Sequence, residues 1–412
     1  MLQATSREPG RVLIVTSGEN FGVPRLARVL REGGCHVTLM CRGGLMQARS
    51  RYVNRFIPAP GDILMLVEAV RMHLADPCGR DYAWVIVADD SLLWALGRRA
   101  DEGWLAPWFP VEPALQSVRV LLSKVGFAQA AARAGLAMPR FAVAAGADAR
   151  ETAHAALAAA REVGYPVMLK KDYGCAGQGV ARADGPGELA AAAERFAGRG
   201  DLLVQECLDW QVGAVEALYD RGRPLCWLTS LKARTWPGPY GPSCARELFW
   251  HADVEPLLRG VGALTGQHGF GGFDFLHDPA SGRLVVIELH ARPTTGLALG
   301  VRAGADFPAA VRAMLGGAPR TIAPRPALCR PATAPISLFP QDLDRAIDTG
   351  RWGGWLCAIF RANDIPWDDR PLLRAHAGRA WRRLRGIARG HLPPAGPTMV
   401  APAAPADMQL AA

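Results

Sequence analysis

Residues 271–293 of this 412-residue chain read Gly-Gly-Phe-Asp-Phe-Leu-His-Asp-Pro-Ala-Ser-Gly-Arg-Leu-Val-Val-Ile-Glu-Leu-His-Ala-Arg-Pro, two apolar runs around a cluster of turn formers. That pattern folds as a β-hairpin. With the turn centred near Ala280 or Ser281, Asp274 falls opposite or nearly opposite Glu288. Carboxylates facing each other across a hairpin have Cβ atoms roughly 5 Å apart and repel, so the pair demands a cation between them. A divalent metal is the obvious candidate. Alternation sends Glu288, His290 and Arg292 to one face and Ile287, Leu289 and Ala291 to the other. One face is core and the other carries chemistry.

A second constraint lies upstream, where Gly164-Tyr-Pro-Val-Met-Leu-Lys-Lys-Asp-Tyr-Gly-Cys-Ala-Gly-Gln-Gly-Val-Ala-Arg182 reads as strand, glycine-rich loop, strand. Gly174, Gly177 and Gly179 let backbone N–H groups approach and surround phosphate oxygens. Lys170 and Lys171 project to opposite faces of their strand, so only one enters a given pocket. Cys175 at the loop tip has no general base beside it in sequence and is not read as a nucleophile.

These motifs, a D-F strand, a Gly-containing turn and I-E-x-x-A-R-P after a P-V-x-L-K strand and glycine loop, resemble the ATP-grasp superfamily of carboxylate-amine ligases. The resemblance covers about residues 10–318. It implies that Asp274 and Glu288 hold magnesium bridging the ATP phosphates, with His290, standing where the family usually has Asn, as the third metal ligand. Magnesium prefers oxygen and imidazole suits softer ions, so manganese is the alternative metal. The resemblance also implies phosphate contacts from Lys124, Lys170 and Lys232. It places adenine against Gln205, Glu206 and the backbone to Leu208, and gives Arg292 the charge of an acyl phosphate. The implied reaction is ATP-dependent phosphorylation of a carboxylate and transfer of the acyl group to an amine or similar nucleophile, releasing ADP and phosphate. The alternative within the same fold is a catalytically inactive nucleotide-binding regulatory protein.

The chain opens with Arg11-Val-Leu-Ile-Val-Thr16, a helix from Pro24 and a second strand at His36, a βαβ pattern. The turn Ser17-Gly-Glu-Asn-Phe-Gly22 is not G-x-G-x-x-G, which disfavours a dinucleotide enzyme. By the rule for parallel sheets, Ser17 to Asn20 and Asp89-Asp90 lie where substrate can be touched. The expected class is α/β. A small doubly wound, Rossmann-like domain (11–112) precedes a two-lobed ATP-grasp domain (113–318), with an extension at 319–391 and disordered ends at 1–10 and 392–412. Apolar spacing predicts one helix from residue 114 through Phe127, and the Gly/Pro content of 236–246 predicts irregular structure throughout.

The excess of 47 Lys and Arg over 38 Asp and Glu suits anionic ligands such as nucleotides. Nine cysteines with no C-x-x-C pair read as reduced thiols of a cytoplasmic protein. No run is long and apolar enough to span a membrane, and the start lacks the apolar core of a signal peptide. The basic stretch from Arg374 to Arg389 reads as a solvated amphipathic helix, with neither nucleic acid nor membrane as partner. Small-molecule carboxylate and amine substrates are the expected partners, and a homodimer is compatible with the sequence.

Overall fold

A computed structural model describes residues 10–77, 81–110, 115–174, 177–196, 200–324, 328 and 335–388. Cys78, Cys175, Cys329, residues 1–9 and the tail from 389, including Arg389, lie outside the described residues. The chain begins with β1 (Arg11–Val15), α1 (Gly22–Glu32), β2 (His36–Arg42), a 3₁₀ turn (Met46–Arg49), β3 (Arg55–Ala59), α2 (Ile63–Ala75), β4 (Tyr82–Val87) and α3 (Asp90–Gly97). The four strands form a parallel sheet in the order β3-β2-β1-β4. Its central strands are continuous apolar runs because both faces are covered. Val12 and Ile14 pack with Val23, Leu26 and Leu30 of α1, while Leu13 and Val15 pack with Leu66, Val67 and Leu92 of α2 and α3.

Two helices, α4 (Leu115–Leu122) and α5 (Lys124–Arg133), stand where one was expected. Ser123 makes the break. Its backbone is extended and its Oγ accepts a 2.8 Å bond from the Gly126 N–H, so it caps α5 instead of continuing α4. Next come β5 (Phe141–Ala144), α6 (Ala149–Val163), β6 (Val167–Lys171), β7 (Val180–Ala183), α7 (Pro186–Phe196) and β8 (Leu202–Glu206). These strands form an antiparallel sheet ordered β5-β8-β6-β7, covered by the alanine-rich faces of α6 and α7. Asp148 starts α6 by accepting from the Glu151 N–H, and Glu151 returns a bond to the Ala147 N–H.

The largest sheet uses β9 (Gln211–Asp220), β10 (Arg223–Thr235), β11 (Ser243–Leu248), β12 (Gly269–His277), β13 (Leu284–His290) and β14 (Ile336–Ser337), in the order β13-β12-β9-β10-β11-β14. Regular pairing resumes at Ser243, opposite Thr235, so only 236–242 of the Gly/Pro-rich run is loop. Between these strands lie α8 (Val254–Thr265), a 3₁₀ turn (Thr295–Leu299), α9 (Gly300–Ala303) and α10 (Phe307–Leu315). One sheet face packs Phe273, Phe275 and Tyr219 against α5 and α8. Leu218, Leu228 and Phe270 join the core of the N-terminal sheet.

The chain closes with α11 (Gln341–Thr349), α12 (Gly353–Phe360) and α13 (Arg370–Ala388), around a small core of Phe339, Leu343 and Ile347. Charge fastens this unit to the rest. Arg25 of α1 pairs with Asp364, Ser50 Oγ donates to Asp369 (2.5 Å), Arg234 reaches Asp342 (3.0 Å) and Trp236 Nε1 donates to Asp348 (2.9 Å). Arg379 grips Asp344 through two contacts of 2.7 and 2.8 Å. Among the described residues no helix is long and apolar enough to cross a membrane.

His376 of α13 lies buried between the rings of Phe339 and Phe21, at centroid distances of 5.0 and 5.9 Å, and its Nδ1 has no partner. Burial, followed by Arg379 on its own helix and Arg25 of α1, pushes its pKa down to about 3. The folded value lies below the unfolded one, near 6.5, so the neutral ring contributes stability above that pH and loses it as pH falls toward 3. The loss at pH 5 is about 2 kcal/mol. In urea denaturation, the stability lead of the wild type over His376→Gln should shrink by that amount between pH 7 and pH 5, and a lead independent of pH would contradict it.

Candidate active site

Asp274 of β12 and Glu288 of β13 are direct cross-strand neighbours, and the strand slips its register immediately after Asp274. Each carboxylate is met by a lysine from a different part of the chain. Lys232 Nζ of β10 lies 2.5 Å from Asp274 Oδ2, and Lys124 Nζ at the start of α5 lies 3.0 Å from Glu288 Oε1. Burial alone would raise both carboxyl pKa values, but Lys232 holds Asp274 far below the usual range and Lys124 lowers Glu288. His290 Nε2 contacts Asp274 Oδ1 at 3.1 Å, and the two acids outweigh burial to raise its pKa. His290 thus reaches one acid, and among the described residues no three acid, imidazole or thiol groups gather as a metal cluster. The facing acids offer hard oxygen donors that fit a divalent cation, provided the cation takes the place of the lysine ammonium groups between them.

Lys170 of β6 is the lysine that crosses between sheets. Its buried Nζ donates to Gln205 Oε1 (2.7 Å) and to the Ile287 carbonyl of β13 (3.3 Å). Burial, opposed by Glu288 and assisted by Lys124, pushes its pKa down to about 8. Lys171 also lines the cavity, but its ammonium lies 4.9 Å from the centre of the Phe196 ring. Gln205 is almost fully buried and its Nε2 has no partner, leaving a hydrogen-bond donor in the wall beside Lys170. Glu206 also lines the cavity, and its carboxylate pairs with Arg140 (3.0 Å).

These groups line one cavity of about 1420 Å³. Its lining includes Met168, Val180, Glu206, Leu208 and Leu276, with Gly174, Gly177 and Gly179 of the glycine loop. Lys124 Nζ also donates to the Gly174 carbonyl (2.7 Å), while Asp172 anchors the loop by accepting from Ser123 Oγ and the Val125 N–H. Gly177 has φ +75°, and a Cβ there would come within 2.1 Å of the Tyr240 carbonyl oxygen. The glycine loop and the 236–242 loop therefore close over the cavity in contact.

Three remote segments also contribute to the lining. Ser17 to Phe21 come from the turn after β1, Arg292 and Thr294 from the segment after β13, and Gln341 and Asp344 from α11. Asp89 fixes the first turn by accepting from Thr16 Oγ1, Ser17 N and Ser17 Oγ at 2.7 to 3.0 Å. Arg292 Nη2 donates to Asp90 (2.6 Å) and so ties the hairpin to the N-terminal domain. On the floor, Arg246 of β11 pairs with the buried Glu216 of β9, which also accepts from Thr294 Oγ1 (2.9 Å). Gly296 sits directly above this pair, where a Cβ would fall 2.2 Å from Glu216 Oε1.

Every residue singled out from the sequence as ligand-binding or catalytic lines this cavity: Lys124, Lys170, Gly174, Gly177, Gly179, Gln205, Glu206, Leu208, Lys232, Asp274, Glu288, His290 and Arg292. The sequence reading lacked Asp172, Arg246, Thr294 as the partner of Glu216, and the contribution of α11. Glu216 and Arg246 meet across 30 residues of chain, and no local spacing signals that.

Residues 124–209 match the family model described as carbamoyl-phosphate synthase L chain, ATP binding domain. A search of curated proteins returned no match. Among solved structures, N5-carboxyaminoimidazole synthetase from Staphylococcus aureus complexed with ADP is similar at TM-score 0.60 and 14% identity, covering 82% of this chain and 85% of that one. The biotin carboxylase domain of Hydrogenobacter thermophilus 2-oxoglutarate carboxylase, in complex with MgADP, ADP and bicarbonate, gives 0.57 and 16%, covering 76% and 71%. L-amino acid ligase from Bacillus licheniformis gives 0.55 and 19%, covering 79% and 78%. The parallel N-terminal sheet, the glycine loop on a small antiparallel sheet and the acid-bearing hairpin of the large sheet, together with these likenesses, establish that the chain has the ATP-grasp fold.

Proposed function

We propose that this chain is an ATP-dependent ligase that phosphorylates a carboxylate to an acyl phosphate and passes the acyl group to an amine or similar nucleophile, releasing ADP and phosphate. The observation that carries the reading is the convergence of Lys124, Lys170 and Lys232 on the facing Asp274 and Glu288 in one cavity. Three ammonium groups against two carboxylates leave a net positive centre suited to a polyphosphate. The ADP and MgADP complexes of two similar structures support ATP and a divalent cation as its ligands.

In this reading adenine lies against Gln205, the backbone of Glu206 and Leu208, with the unpartnered Gln205 Nε2 as a donor. Asp274 and Glu288 would hold magnesium or manganese, which when bound supplies charge screening between phosphate groups. His290 orients Asp274. The lysines hold the transferring phosphoryl group in line and lower its charge, a matter of positioning and electrostatics. Arg292, held by Asp90, faces the acyl phosphate, and no side-chain nucleophile is needed. The carboxylate and amine occupy the end bounded by Ser17 to Phe21, Thr294 and α11. There Glu19 has no ion-pair partner among the described residues, and the side-chain Oε1 of Gln341 is unpartnered.

Two measurements test this. Lys170→Ala should weaken ATP binding by about 1–3 kcal/mol in titration calorimetry, the worth of one charge-assisted contact, while Lys171→Ala changes it little. Equal losses would refute the assignment of Lys170 to the phosphates. With ATP and a panel of carboxylic acids, hydroxylamine should trap the acyl phosphate as a hydroxamate alongside ADP. Formation of AMP would point to adenylation and sink the mechanism.

A further inference from the structure

The outer surface of the C-terminal unit is chemically one-sided. Residues 335–388 contain six acidic side chains, Asp342, Asp344, Asp348, Asp364, Asp368 and Asp369. Every one is engaged inward or by the N-terminal domain, through Arg345, Arg379, Arg383, Arg25, Arg28 and Ser50 respectively. Apart from Asp368, exposed in its pair with Arg28, what remains outside is cationic. Arg351, Arg361, Arg370, Arg374, Arg382 and Arg385 are exposed, and none pairs with an acid among the described residues.

Helix α13 shows how this arises. Its 19 residues contain no Asp or Glu. Leu373, Ala380 and Ile387 face the α11 core, and Arg379 and Arg383 face Asp344. The outward stripe at helical spacing is then Arg370, Arg374, Ala377, Trp381, Leu384 and Arg385. The Arg385 guanidinium lies 5.6 Å from the Trp381 ring centre. Helix α12 packs on the same core through Trp355 and turns Leu356 and Phe360 to the outside. Phe360 is 87% exposed, and Trp367 and Trp381 are each 61% exposed.

Single exposed apolar residues are ordinary, but several large ones among unpaired cations mark a contact surface. We propose that this face docks on an anionic lipid surface, with the arginines at the headgroups and Trp381, Leu384 and Phe360 at the acyl boundary. The alternation of guanidinium groups with aromatic and aliphatic side chains is the chemistry of an interfacial helix. Nucleic acid fits less well, because Leu356 and Leu384 offer nothing to phosphate. A solvated helix does not account for the apolar residues of α12.

The test is co-sedimentation of the full chain with vesicles of phosphatidylcholine alone, or with about one-third phosphatidylglycerol. Binding to the anionic vesicles should exceed binding to neutral ones at least tenfold. Arg374→Gln and Arg385→Gln should each lower the partition about fivefold. Trp381→Ser and Phe360→Ser, one on each helix, should weaken binding and leave what remains fully salt-sensitive. All four substitutions are on exposed side chains and should leave the melting curve unchanged. Equal binding to both vesicle types, no binding to either, or tighter binding to a duplex oligonucleotide at the same salt would overturn the proposal. So would a dimer that Phe360→Ser dissolves without altering vesicle binding.

Discussion

The apposition of Asp274 and Glu288 is the constraint that the rest of the molecule answers. Two carboxylates in direct register on neighbouring strands, both turned into the protein, are untenable without compensating charge. The compensation is recruited from everywhere: Lys232 from the same sheet, Lys124 from the helix beyond Ser123, and Lys170 from the small sheet. Lys170 also bonds the Ile287 backbone, so the ammonium group that faces the acids joins the two sheets as well. Site electrostatics and domain arrangement are one problem here, solved by the same side chains.

That problem was partly legible in the sequence. Strand alternation and a turn of fixed centre were enough to set Asp274 against Glu288, because a period of two admits few registers once one face must be apolar. The same rule separated Lys170 from Lys171. It failed wherever the partner lay far along the chain. That Glu206 would spend its carboxylate on Arg140, or that Glu216 would receive Arg246 and Thr294 together, depends on strand order, which no local pattern encodes. The break at Ser123 was missed for a related reason. Ser123 fits a helix by apolar spacing, and only the distant Asp172 makes its capping conformation the better one.

The C-terminal helices show the limit more plainly. From the sequence they were an extension of unknown role with a basic stretch. In the structure their acids are committed to Arg25, Ser50, Arg234 and Trp236, and α11 forms part of the cavity wall. Breaking a buried ion pair by removing one partner costs about 3–5 kcal/mol, so shortening the chain before residue 335 would strand several charges at once. The unit is a structural component of the site and not an appendage.

The contact between Gly177 and the Tyr240 carbonyl ties two loops that belong to different sheets. Neither can lift while the other stays seated without opening a gap between them. The 236–242 loop is in turn pinned at Trp236 to Asp348 of α11, the helix whose Gln341 and Asp344 line the cavity. The glycine loop and α11, both part of the cavity lining, are thus linked by a short train of loop, indole and helix. Displacing either loop therefore strains the Trp236–Asp348 bond and, through it, α11.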